Sequence, residues 1–208
     1  MRFIGSVVLV LVLALGAASA GQAAAPKPDA HDRALVKRLG ATVAAFQTIA
    51  SKTRDDNGLQ KTLNNCPAIK QDPSQAFAAI FAILPALLVD VVNQFRPLVV
   101  GVQGTLSGMH PHSGLFRSWL AAEQQVFSLI LRFDNHGKKI DYCEVVAVML
   151  DKKATAKDVR GVLGIDPATV STLFNSKASA NVQRLNPPMR AFLIAAGMSR
   201  KQAAALTK

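Results

Sequence analysis

The chain has 208 residues, a formal net charge of +11, a pI near 10.1 and 50% hydrophobic residues. That length holds one domain, or one domain with a small appendage. No serine elbow, phosphate-binding loop or zinc-protease helix motif occurs, so the sequence offers no signature of those hydrolase or nucleotide chemistries.

The N-terminus reads as an export signal. Arg2 supplies the charged start, Ile4 to Ala18 the apolar centre, and Ala18-Ser19-Ala20 a small-x-small cleavage site before Gly21. The expectation is a signal peptide over residues 1–20 and a secreted, periplasmic or otherwise extracytoplasmic mature protein. No cysteine follows the cleavage site, so a lipoprotein anchor is not indicated. Export gives the two cysteines a role, because thiols in an oxidising compartment pair. Cys66–Cys143 would close a loop of about 78 residues and contribute roughly 4–5 kcal/mol through loop-closure entropy.

Residues 21–29, rich in Ala, Pro and Lys, read as a disordered lead. A helix is predicted from Asp29 to Lys52, with Leu35, Val36, Leu39, Val43, Phe46 and Ile49 at helical spacing. Asp29 and Asp32 at its start and Lys52 and Arg54 at its end suit the helix dipole. Asp55-Asp56-Asn57-Gly58 is a turn, and a short helix with Leu59 and Leu63 leads to Cys66-Pro67.

Pro73 to Leu106 is the longest apolar run. Asp72 caps it and Pro73 suits its first turn. Its uninterrupted part ends after about 14 residues at Asp90, against about 20 for a membrane span. The expectation is therefore a core helix, with no membrane span in the mature chain. Phe77, Ile80, Phe81, Leu84, Leu87, Leu88, Val91 and Phe95 form one broad face. Ala79, Ala82, Ala86, Asp90 and Asn93 form another, first small and then polar. This predicts burial nearly all round in the N-terminal half and half-exposure after it. Pro85 should bend the helix, and Pro97 should end it or start a second segment. Asp90 is read as an ion-pair partner of Arg96 or Arg117, or as an acid at the mouth of a pocket.

Gly101 to Gly114 reads as a loop. An amphipathic helix follows from Leu115 to Phe133, with Glu123 on a solvated face beside Gln124 and Gln125. Asp134-Asn135-His136-Gly137 stops it, and a further helix runs from Lys139 to Asp151. His110 and His112 precede the amphipathic helix, while Asp134 and His136 follow it, roughly 30 Å away at 1.5 Å per residue. No shared metal site is expected, and no cofactor. No alternating stretch argues for a sheet.

The predicted fold is all-α: a helical bundle over residues 30–151 around the long central apolar helix, then a small basic region of short helix-turn-helix units over 152–208. Residues 152–208 carry 10 basic and 2 acidic side chains, against 13 and 11 over 21–151. Gly164-Ile165-Asp166 and Gly197-Met198-Ser199 repeat one device at a spacing of 33: a glycine after one helix, an apolar residue, and a cap for the next. Pro187-Pro188 should start the helix leading into the second turn.

Thr155 to Asn175 resembles the helix-turn-helix of lac-repressor-type regulators through Lys157-Asp158-Val159, Gly164-Ile165, Ala168-Thr169-Val170-Ser171 and Asn175. The resemblance covers 21 residues and implies a second helix in the major groove. Pro167, Ala168, Thr169 and Thr172 would then face DNA, with Asp166 as the cap.

A concentrated positive charge attracts polyanions. The leading expectation is an exported, non-enzymatic helical protein. Its binding residues would be Lys152, Lys153, Lys157, Arg160, Arg184, Arg190, Arg200 and Lys201, and its partner an anionic polymer, an anionic lipid or a protein. The alternatives are nucleic-acid binding through residues 155–175, and a ligand carrier or enzyme with a pocket along the central helix.

Overall fold

The computed structural model describes residues 26–52 and 63–207. The expected export signal, the first part of the expected lead, the expected Asp55–Gly58 turn and Leu59 of the expected short helix lie outside them. Among the described residues the chain is all-α, with helices joined by short connections and without strands.

The first helix, α1, runs Ala30–Lys52. Pro67–Gln71 is α2, followed by a 3-10 turn at Pro73–Gln75. The apolar run then divides into α3, Ala76–Ala82, and α4, Leu84–Ser107. Ile83 separates them, and Pro85 sits in the first turn of α4, where its missing N–H breaks no helical bond. Pro97 starts a second segment, as expected: α4 is two helical stretches that meet at a kink on Phe95. The kink residue has φ −113° and ψ 17° and falls within the turn whose i−4 bond the proline removes. The expected loop is shorter than its glycines imply: α4 continues through Gly101 and Gly104 to Ser107, and residues 108–113 form the connection.

Burial of this helix is one-sided. Ala86, Val89 and Val92 are fully enclosed, yet Ile80 and Phe81 are 44% and 57% exposed. The N-terminal half is thus not buried all round: among the described elements α3 packs chiefly against the helix Tyr142–Leu150. The stretch Ala78–Ser107 has a window of mean hydropathy 1.9 and the length to cross a bilayer, with 44% of that window buried. It packs here along the helix Gly114–Ile130.

Gly114–Ile130 forms α5, continued by a 3-10 turn at Leu131–Phe133. Tyr142–Leu150 forms α6, started later than its pattern predicts because Asp141 accepts from the backbone N–H of Cys143 and Glu144. Ala156–Leu163 (α7) and Pro167–Phe174 (α8) follow. Lys177–Ala195 (α9) contains Pro187 and Pro188 in its interior, so the pair does not start a helix. Packing keeps that helix whole: α9 lies along α5, the most extensive helix pair in the molecule. Arg200–Leu206 (α10) completes the described chain.

Three apolar cores result. The first joins α4, the second half of α5, Phe133, Val145, Val162, Leu163, Leu173 and Val182. The second joins Val36 and Leu39 of α1 to Phe116, Trp119, Met189, Phe192 and Leu193. The third surrounds the Cys66–Cys143 disulfide with Leu63, Ile69, Ala79, Ile83 and Val146. The disulfide closes a sequence separation of 77 and fits an oxidising, extracytoplasmic compartment.

Candidate functional site, a basic cleft between the first helix and the C-terminal turn

The site is built by two segments about 160 residues apart in sequence. One wall is α1. Helical spacing puts Arg33, Lys37 and Ala41 on one line and Val36 and Gly40 on the next. The other wall is the α9–α10 turn, whose shape follows from Gly197 at φ +102°. The Met198 N–H donates to the Leu193 carbonyl at 2.9 Å and the Gly197 N–H to the Ile194 carbonyl at 3.0 Å. This is the doubly bonded helix ending that needs glycine at the left-handed position. It turns Met198 inward beside Leu193 and Phe192. Ser199 then caps α10, accepting from the Gln202 N–H.

Between these walls lies an open cleft of about 620 Å³, lined by Arg33, Val36, Lys37, Gly40, Met198 and Gln202 with small residues between. Its base is apolar and its α1 rim is cationic. Among the described residues neither Arg33 nor Lys37 has an ion pair or a side-chain hydrogen bond, and no acidic side chain lines the cleft. Gly40 is buried, and a Cβ there would meet only the Met198 methyl, at 3.6 Å.

The start of α1 is pinned. Buried Asp32 accepts from the backbone N–H of His112 at 2.9 Å and of Ser113 at 3.1 Å. The His112 ring lies 2.8 Å from Asp29 and stacks on His31 at 4.3 Å between centroids. The backbone N–H of Asp32, then His112, hold the Asp29 carboxyl below its usual range. His110 and His112 are therefore surface partners of α1. No group of three or more His, Cys, Asp or Glu side chains gathers as a metal site among the described residues.

The basic residues singled out from the sequence fall into separate places. Arg200 and Lys201 lie exposed in the first turn of α10, which packs on α1 beside the cleft. Arg190 is occupied: its Nε donates to Thr207 Oγ1 at 2.9 Å and its Nη2 to the Thr207 carbonyl, fastening the C-terminal turn. Arg160 pairs with Asp166 at 3.0 Å. Lys157 is exposed on α7, Lys152 and Lys153 are exposed just after α6, and Arg184 is exposed on α9. Pro167, Ala168, Thr169 and Thr172 lie on α8. Ala168 and Thr172 are exposed, Pro167 and Thr169 half-buried, and the Thr172 hydroxyl donates to the Ala168 carbonyl at 2.7 Å.

Two acids stand differently from their sequence expectation. Asp90 pairs with neither Arg96 nor Arg117. It accepts from the Tyr142 hydroxyl, while Arg96 pairs with Asp134 at 2.7 Å. Burial raises the Asp90 carboxyl above its usual range, partly offset by that hydrogen bond. Glu123 is not on a solvated face. It is 3% exposed, its Oε1 has no partner, and burial pushes its carboxyl up to about 8. The reason is that α5 is covered by α4, α8 and α9, a wider cover than its apolar stripe implies.

Sequence reasoning missed Arg33 and Lys37. Summing charge over residues 21–151 gave a near-neutral total, which hid an i, i+4 cationic pair. Protein-family models, curated proteins and solved structures contain no match to this chain.

Proposed function

We propose that this is an exported, non-enzymatic binding protein that takes an anionic ligand in the cleft between α1 and the α9–α10 turn. The observation that carries the reading is the pair Arg33 and Lys37. Both line an open cleft without an acidic partner among the described residues. Unneutralised cations on one wall attract anions, and Arg200 and Lys201 on the neighbouring turn extend the same sign of charge. Arg160 and Arg190, both engaged internally, leave the ligand surface. The Cys66–Cys143 bond supports an extracytoplasmic address.

Flotation with anionic and zwitterionic vesicles, together with retention on a sulfated polysaccharide resin, tests it across salt. The wild type should bind at least one anionic material at low salt and release it as salt rises past about 0.15 M, where exposed charges are screened beyond about 8 Å. R33Q/K37Q should weaken that binding about tenfold. Absence of binding to every anionic material at low salt, or unchanged binding by R33Q/K37Q, would sink the reading.

The helix-turn-helix reading rests on the α7–α8 pair, joined through Gly164 at φ +73° and capped by Asp166. A gel shift at low salt with T169A and T172A tests it, and absence of any shift by the wild type rejects it.

A further inference from the structure

We infer that the ligand of this cleft is a linear acidic glycan, a sugar chain that carries sulfate or uronate groups along its length and lies between α1 and the first turn of α10. This rests on the reading that the cleft binds anions, and it adds the class of anion that the two walls select.

The cations stand on both walls. Arg33 and Lys37 line the cleft from α1. Arg200 and Lys201 fall between Met198 and Gln202, which line it from the facing turn, and both are exposed. One guanidinium and one ammonium suffice to share a single carboxylate or phosphate, so one small anion leaves two of the four charges unanswered. Each pair also stands where the chain alone disfavours it. Arg33 and Lys37 are like charges at i, i+4, a spacing at which they repel on one helix face. Arg200 and Lys201 occupy the first turn of α10, the end where the helix dipole opposes cations. No acidic side chain lines the cleft, and among the described residues none of the four has an ion pair or a side-chain hydrogen bond. A polymer with an anion on each repeat neutralises all four at once.

The surface between the cations suits a hydrophilic chain. Val36, Gly40, Ala196 and Met198 form a buried floor, so no exposed apolar track is offered to a lipid tail. What meets solvent between the charges is small or polar: Ala34, Ala41, Gly197 and half-buried Gln202. Small side chains let a sugar ring come close to both walls. Gln202 Oε1 accepts from the Ser199 hydroxyl at 2.8 Å. The Gln202 amide NH2, unbonded among the described residues, remains a donor for a sugar hydroxyl. Among the described residues the lining contains no Phe, Tyr, Trp or His, and so lacks the stacking platform on which single-stranded nucleic acid binds. The cleft, of about 620 Å³, is open rather than enclosed, so a chain longer than the cleft can lie across it.

The test is calorimetric titration of the full chain at several salt concentrations. The titrants are sulfated saccharides from the monosaccharide to the dodecasaccharide, a uronate oligosaccharide, a neutral oligosaccharide, anionic vesicles and a single-stranded oligonucleotide. Affinity for the sulfated series should rise by about a hundredfold from the monosaccharide and level off once the chain spans both walls. The plot of log Kd against log salt should have a slope of about 3, as four neutralised anions require. R33Q/K37Q and R200Q/K201Q should each lower that slope by about half. R132Q/K139Q, which removes two exposed cations beyond the far end of α5, should leave it unchanged. The neutral chain should not bind. Binding of the sulfated chain alone, the uronate chain alone or both supports the proposal and identifies the anionic group. If the monosaccharide binds as tightly as the longer chains, or if R200Q/K201Q changes neither affinity nor slope while R33Q/K37Q weakens binding, the glycan is wrong and the anion-binding cleft stands. The same holds if only the vesicles or the oligonucleotide bind and R33Q/K37Q weakens them. If no anionic titrant binds at low salt, or R33Q/K37Q changes nothing, both fall.

Discussion

Glu123 is the residue whose position departs furthest from its chemistry. A carboxyl with 3% exposure and an unpartnered Oε1 is held in the protonated form by burial, with its pKa raised from 4.5 to about 8. A raised folded-state pKa means the native chain binds more protons than the unfolded one across that interval. Its contribution to stability is therefore whole below pH 4.5 and lost as pH rises through about 8. Glu123→Gln keeps the shape and removes the ionisation. It should leave stability unchanged near pH 4 and raise it by about 2–4 kcal/mol near pH 9. Urea unfolding of both proteins at the two pH values measures the difference. Equal pH profiles would show that Glu123 is solvated in the native state. Its polar neighbours in sequence, Gln124 and Gln125, argue for a solvated face, whereas in the fold three helices cover α5 and Gln124 itself is half-buried, donating to the Leu106 carbonyl at 2.9 Å.

At the level of elements, two turns of one sequence type do different work. Gly164 and Gly197 both take positive φ, +73° and +102°. At Gly164 a Cβ would lie 3.0 Å from the Asn135 Cβ, whereas at Gly197 it would meet nothing within 4 Å. Asn135 is a buried joint: its amide donates to the Leu163 and Lys138 carbonyls at 3.0 and 2.9 Å, and its Oδ1 accepts from Asn93 at 2.6 Å. It ties α7 to α4 and to the loop before α6. Gly197→Ala should cost about 1–2 kcal/mol from backbone strain alone. Gly164→Ala should cost more, about 2–4 kcal/mol, because Asn135 must also move. Thermal unfolding of the two variants compares them, and equal losses would mean that the Asn135 contact is relieved without penalty. The repeat, the caps at Asp166 and Ser199, and the fold class were all legible in the sequence, because short-range backbone chemistry sets them. The continuation of α4 through Gly101 and Gly104, and of α9 through Pro187 and Pro188, was not. There, packing against α5 overrides local propensity, and the buried Trp119 indole N–H bonded to Asn186 Oδ1 at 2.9 Å fixes α9 beside it.

Across the whole molecule, α5 is the common member of the two larger cores, with α4 on one side and α9 on another. The disulfide fastens the start of α2 to α6 around a third, smaller core that α3 joins. This arrangement carries the chain's end back onto its beginning, so that α10 packs on α1. The cleft exists only because of that return. A one-dimensional reading placed the binding charge in the C-terminal quarter, since Arg200 and Lys201 belong to it. The side chains that line the cleft, Arg33 and Lys37, belong to the first helix. Charge summed along a sequence does not reveal which distant segments become neighbours, and a contact between α1 and the α9–α10 turn has no local signal.

The most direct test of the anion-binding cleft is backbone-amide NMR of the full chain titrated at low salt with a short sulfated oligosaccharide. The predicted result is a set of shifts confined to residues 33–41 and 196–202, saturating with one ligand and abolished in R33Q/K37Q. Shifts centred instead on residues 152–173, or spread over the surface without saturation, would contradict the assignment of the ligand to this cleft.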